Sequence, residues 1–247
     1  EGKSLLTLAA LSAAAQRFAA AVASYDAALA CDPPNPEEVR YHRGYCSVGL
    51  ARALPAPERA VTLAAALKDL GDNPTPEGVS PRERRILHQH LVRLVARHLP
   101  QRFADASELL LAGLRQSKPA RRCQAETFVA AQAAEAELFS VAVPHYRAAL
   151  ALGPPDPVRA SLLASLAHVL VSEGEVDEAF ETARSSLQLV ESCKAHLAIS
   201  RAHFARGELD ESQDALERAG RSAKRPEEQQ ALRQMERELA RARAAKR

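Results

Sequence analysis

The amino-acid sequence predicts an all-α fold, an α-solenoid in which antiparallel helix pairs lean one on the next. Three observations predict it. Apolar residues make up 47% of the chain but aromatics only 4%, with no Trp. Much of the apolar share is alanine, which favours helix and lets helices approach closely, and the alternating Val, Ile, Thr and aromatic residues that a β fold needs are absent. Ala21, Tyr25, Ala28 and Pro33, separated by four, three and five residues, recur with the same separations as Ala142, Tyr146, Ala149 and Pro154. Finally, Gly174-Glu175-Val176-Asp177-Glu178-Ala179 returns 33 residues later as Gly207-Glu208-Leu209-Asp210-Glu211-Ser212.

The elements follow in order. A first helix is expected over 4–16. In the segment from Ala21 to Pro33, a small residue, an aromatic and an alanine share one helical stripe, and the proline ends the helix. Residues 37–53, with Arg43-Gly44, and 58–70, with Ala60 and Ala64, form the next pair, joined by an extra Leu54–Pro57 turn. Helix 82–98 pairs with a helix around 101–117 that carries Ala106, Leu110 and Gly113. Helix 121–134 pairs with the segment Ala142–Pro154. Leu163, Leu166, Leu170 and Val171 mark the apolar side of helix 158–172, and Ile199 and Phe204 that of helix 193–205. Gly174 and Gly207 can take the left-handed conformation that closes a helix. The Asp-Glu after each places negative charge where the next helix dipole favours it. Asp32–Glu37, Gly71–Pro81 and Gly153–Pro157 read as turns, the middle one as a mobile loop or irregular joint. Pro226–Arg247 reads as a last helix with Glu227 and Glu228 at its start and Leu232, Met235 and Leu239 as its apolar stripe. The expected organisation is a repeat array over 1–225, of about six helix pairs and irregular around 54–81, followed by a basic capping helix over 226–247.

These segments resemble tetratricopeptide repeats, units of about 34 residues with two antiparallel helices, small residues at the tight crossings and proline after the second helix. The small positions fall at Ala21, Ala60, Ala106, Ala142, Ala179 and Ser212. The family's usual glycine stands at Gly44 and is replaced elsewhere by Ala9, Ala130, Ala167 and Ser200; its usual Trp is absent. The resemblance covers roughly residues 2–225. It implies that the first helix of each pair lines an inner surface on which partner peptides lie, here helices 4–16, 37–50, 82–98, 121–134, 158–172 and 193–205. It implies a scaffold or adaptor in protein–protein interaction, not an enzyme.

No phosphate-binding, dinucleotide-binding, zinc-protease or nucleophile-elbow motif is present, so neither catalysis nor a cofactor is expected. Cys31, Cys46, Cys123 and Cys193 form no paired motif and read as small buried apolar groups in a reduced, cytoplasmic setting. His88 and His90, two apart, diverge on a helix and hold no metal together. His196 and His203, seven apart, can face the same way, with no carboxylate or cysteine expected on that face. No stretch approaches the ~18 apolar residues of a membrane span.

Net charge is +2, unevenly placed: residues 221–247 carry nine basic and four acidic side chains. The most distinctive helix is 82–98, where Arg82, Arg85, Gln89, Arg93 and Arg97 share a face. With Arg40 and Arg43 before it and Arg121 and Arg122 after it, they are the candidate partner-binding residues. Arg forks of this kind suit an acidic or phosphate-bearing protein or peptide. The carboxylate clamp of co-chaperone members is not expected, because Asn35 and Asn73 fall in turns and the first lining helix offers neither Lys nor Asn. Alternatives are RNA or anionic-surface contact through Arg233, Arg237 and Arg241, and a substrate-recruiting or regulatory arm of a larger enzyme. The first is disfavoured by the absence of aromatics for base stacking and by interspersed glutamates. Self-assembly through the end repeats is a further possibility, and the oligomeric state stays open.

Overall fold

A computed structural model of the chain describes residues 17–245. The helix expected over 4–16, with Ala9, lies outside the described residues. Those described form twelve α-helices and one 3-10 turn, without a strand. The chain divides into two compact units, residues 1–116 and 117–247.

In the first unit, α1 (Phe18–Ala30) packs on α2 (Pro36–Ala51), α2 pairs with α3 (Ala56–Asp72), and α4 (Pro81–His98) pairs with α5 (Phe103–Ala112) across a 3-10 turn at Pro100–Arg102. Successive first helices touch, α2 on α4, as do successive second helices, α3 on α5. In the second unit, the pairs are α6 (Pro119–Glu135) with α7 (Phe139–Ala151), α8 (Asp156–Glu173) with α9 (Val176–Leu189), and α10 (Cys193–Ala205) with α11 (Leu209–Ser222). There α8 touches α10, and α10 touches α12 (Pro226–Ala245), so α12 stands where a further first helix would. This is the α-solenoid of antiparallel helix pairs that the sequence predicts, of tetratricopeptide-like design.

The repeats hold down to single hydrogen bonds. Ala21, Tyr25 and Ala28 are buried, and so are Ala142, Tyr146 and Ala149. After the first motif, the amides of Cys31 and Asp32 bond back to Ala28 and Leu29; after the second, those of Leu152 and Gly153 bond back to Ala149 and Leu150. Asp32 and Gly153 both take positive φ, at 48° and 65°. The two later glycines close α8 and α10 in the same way. Gly174 has φ 89°, with Glu175 N–H donating to Leu170 C=O; Gly207 has φ 78°, with Glu208 N–H donating to His203 C=O. Both are helix ends in which a left-handed residue lets the next amide reach back over the last turn. A third copy closes α6, where Leu138 N–H donates to Ala133 C=O over Glu137 at φ 59°.

The tight crossings are built from small residues. Ser200 Oγ donates to Ser212 C=O and Ser212 Oγ to Ser200 C=O, each at 2.8 Å and both fully buried. Gly44 is required on α2, because a Cβ there would lie 2.9 Å from Asp69 Cβ and 3.0 Å from Leu70 Cγ. The sequence reading assigns the matching small position on α3 to Ala60, but Ala60 is half-buried and the close approach falls at Asp69 and Leu70. Arg59 spans the extra turn before α3, donating to Ala51 C=O at 3.0 Å and Leu54 C=O at 2.6 Å. The connection expected to be mobile is tied down: Asn73 donates to Asp69 C=O, Arg84 to Thr75 Oγ1, and Ser80 and Glu83 form a reciprocal cap at the start of α4.

Candidate functional site

On the first helices of the first unit, a groove of about 540 Å³ runs between α2 and α4. Tyr41, Tyr45, Val48 and Arg52 recur on α2 at three- and four-residue steps, and Glu83, Ile86, Leu87 and His90 do so on α4, so each set lines one side. Gly78 and Val79 from the α3–α4 connection and Phe18 from α1 complete it. Two large apolar side chains are left open in it, Tyr45 at 47% and Ile86 at 41% exposure. Burial, with Arg93 and Arg52 nearby, holds the His90 imidazole below its usual range.

Of the basic residues read from the sequence, those on α4 lie beside this groove. Arg82, Arg85, Gln89 and Arg93 sit roughly a quarter-turn around α4 from Glu83, Ile86, Leu87 and His90, at 100° per residue. Arg82, Arg93, Arg97 and Arg40 are exposed, while Arg85 and Gln89 are half-buried. Arg85 Nε is buried without a hydrogen-bond partner. Arg43 is engaged internally: its Nε and Nη2 grip Asp69 at 2.8 and 2.7 Å, and its Nη1 meets Asp26 at 2.8 Å. It ties α1, α2 and α3 together, and its fork is filled. Arg121 and Arg122 are exposed near the start of α6, in the second unit. Tyr45 and Ile86 are not among the residues expected from the sequence. A large apolar residue on an otherwise polar helix face was the available signal.

In the second unit, a cleft of about 530 Å³ lies between α9, α10 and α11, lined by Phe180, Arg184, His196, His203, Asp214 and Arg218 among others. His196 and His203 do face the same way. The expectation that no carboxylate joins them is overturned, since His196 contacts Glu191, and His203 Nδ1 meets Glu208 Oε2 at 2.6 Å. The two glutamates come from the connections at either end of α10, where a count along the helical stripe does not look. Phe180 stands edge-on to His203 with ring centres 5.1 Å apart, and Arg206 lies over the Phe180 ring. Among the described residues, no group of three or more His, Cys, Asp or Glu side chains is placed to hold a metal ion, and no helix is long and apolar enough to cross a membrane.

The class these features define is a helical-repeat protein of tetratricopeptide-like pairs whose first helices carry an open groove. Among solved structures, the chain is similar to MamA of MSR-1, at 16% identity and a TM-score of 0.43, covering 76% of this chain and 96% of that one. It is also similar to the P58(IPK) TPR domain, at 15% identity and a TM-score of 0.45, covering 100% of this chain and 66% of that one. A third likeness is to a thermophilic TPR protein of Thermus thermophilus, at 16% identity and a TM-score of 0.35, covering 98% of both chains. No family model and no curated protein matches the chain.

Proposed function

We propose that the chain is a protein–protein interaction scaffold, and that the α2–α4 groove takes a partner segment bearing an apolar anchor flanked by acidic residues. The observation that carries this reading is the exposure of Tyr45 and Ile86 across one groove. An aromatic and a branched aliphatic side chain facing each other in water gain by burying a partner's apolar residue between them. The charge around them selects the flanks. Helix α4 carries five arginines against one glutamate, and Arg52 stands on the α2 side. Guanidinium forks favour carboxylates and reject cations. Capture of this kind needs shape and charge and no covalent step.

The test is a selection from a random peptide library followed by binding measurements on the enriched sequence. The expected consensus is one large apolar residue beside Asp or Glu. Tyr45→Ala with Ile86→Ala should weaken binding about tenfold or more. Arg85→Glu with Arg93→Glu should weaken it while circular dichroism shows unchanged helicity. Unaltered affinity in both double variants would sink the proposal.

A further inference from the structure

The second unit carries a separate cationic feature on its first helices. Lys194 and Arg201, both on α10, reach across to α8. Lys194 Nζ donates to Ser165 Oγ at 2.7 Å, and Arg201 Nη1 lies 2.7 Å from His168 Nδ1. Among the described residues, neither cation makes an ion pair, although other arginines of this unit do. Arg147 holds Glu178, Arg206 holds Asp177 and Arg243 holds Asp210. The acidic groups that approach from α12 have other bonds. Glu228 is gripped by Arg225 at 2.7 Å and by the amides of Lys224 and Arg225, and Glu238 accepts from Gln234 at 3.0 Å. Burial lowers the pKa of Lys194 and of Arg201, and it pushes His168 down to about 4, with Arg201 and Lys194 adding to the effect. Arg201 is half-buried and Lys194 exposed, and Glu238 and Glu228 favour their charged forms without an ion pair to either, so both cations keep donors open to a ligand.

The spacing narrows the ligand. Lys194 and Arg201 are seven residues apart, about 10.5 Å of helix rise, but their contacts Ser165 and His168 are three apart, about 4.5 Å. The two charged heads therefore converge along α8 to a separation suited to neighbouring carboxylates on one chain. We propose that Lys194, Arg201 and His168 form a docking subsite for consecutive acidic side chains of a partner peptide. The proposal deepens the scaffold reading and rests on it for the kind of partner, but it uses none of the groove residues. Arg201 offers the fork and Lys194 the point charge, while His168 Nδ1 accepts from Arg201 and holds that fork in place.

The experiment titrates the full chain with a glutamate-rich peptide amidated at its C-terminus, so that only side-chain carboxylates are presented. Binding is read by calorimetry and the His168 titration by NMR. The expected result is at least a tenfold loss of affinity in Lys194→Gln/Arg201→Gln with unchanged circular dichroism, an intermediate loss in Arg201→Lys, and an upward move of the His168 titration in the saturated wild type. Unchanged affinity in the folded double variant overturns the proposal, as does inorganic phosphate competing as tightly as the peptide at equal ionic strength. If the double variant does not fold, a His168 titration that peptide leaves unmoved overturns it. Loss confined to Arg85→Glu/Arg93→Glu would support the α2–α4 groove and overturn this subsite. Loss confined to the α10 pair would do the reverse.

Discussion

His88 shows how one buried ring sets a pH response. Its Nδ1 meets Leu109 C=O at 3.1 Å, its Nε2 has no partner, and burial together with Arg84 lowers its pKa to about 4. In the unfolded chain the ring titrates near 6.5, so between about pH 6.5 and 4 the unfolded state binds the extra proton. The stability that the neutral ring brings is complete above pH 6.5 and falls as pH drops toward 4, by up to about 1.4 kcal/mol per unit. His88→Gln, which keeps a donor for Leu109, should lose about 2 kcal/mol less than wild type between pH 7 and pH 5 in urea unfolding. Equal losses would show that His88 is not the group responsible. Arg43 makes the opposite point about legibility. As an arginine on a first helix it reads as partner-binding, but its fork closes on Asp69, 26 residues away and outside any local pattern.

At the scale of the element, helix ends were more legible than helix faces. Gly174 and Gly207 announce their left-handed turns because only glycine takes that conformation freely. The same turn at Glu137 is silent in the sequence, since a glutamate gives no sign of positive φ. A side chain there costs about 1–2 kcal/mol of backbone strain. Glu137→Gly should therefore raise stability by about 0.5–1 kcal/mol, the strain relieved less the freedom glycine adds to the unfolded chain. Chemical denaturation decides it, and a destabilised variant would mean that the carboxylate or the Cβ has an unseen role. The Ser80–Glu83 cap follows a Ser-x-x-Glu pattern that is not among the expectations drawn from the sequence. The register of α2 against α3 was not legible, because it depends on what meets Gly44.

For the whole molecule, composition and repeats point to the fold, whereas the sites depend on contacts between helices. The stripe on α4 was visible as helical spacing, but Lys194 and Arg201 gain their meaning from Ser165 and His168 on α8, which only the packing brings to them. The last helix has a packing role that bears on any test of its charge. Arg233, Arg237 and Arg241 are exposed, but Leu232, Met235 and Leu239 bury against Cys193, Leu197, Leu216 and Ala219. Removing 226–247 should lower the melting temperature and increase binding of an apolar dye, whereas reversing the three arginines should do neither. An unchanged melting temperature after truncation would show that α12 adds nothing to this core.

The distribution of sulfur has a practical consequence. Cys31, expected to be buried, is exposed because it follows the last turn of α1, while Cys46 in the first unit and Cys123 and Cys193 in the second are buried, and burial raises the Cys46 thiol to about 11. In the native protein a thiol reagent has one ready target and three sheltered ones. Mapping which sheltered cysteine is alkylated first under gentle warming then dates the opening of each unit separately, with no label or substitution introduced.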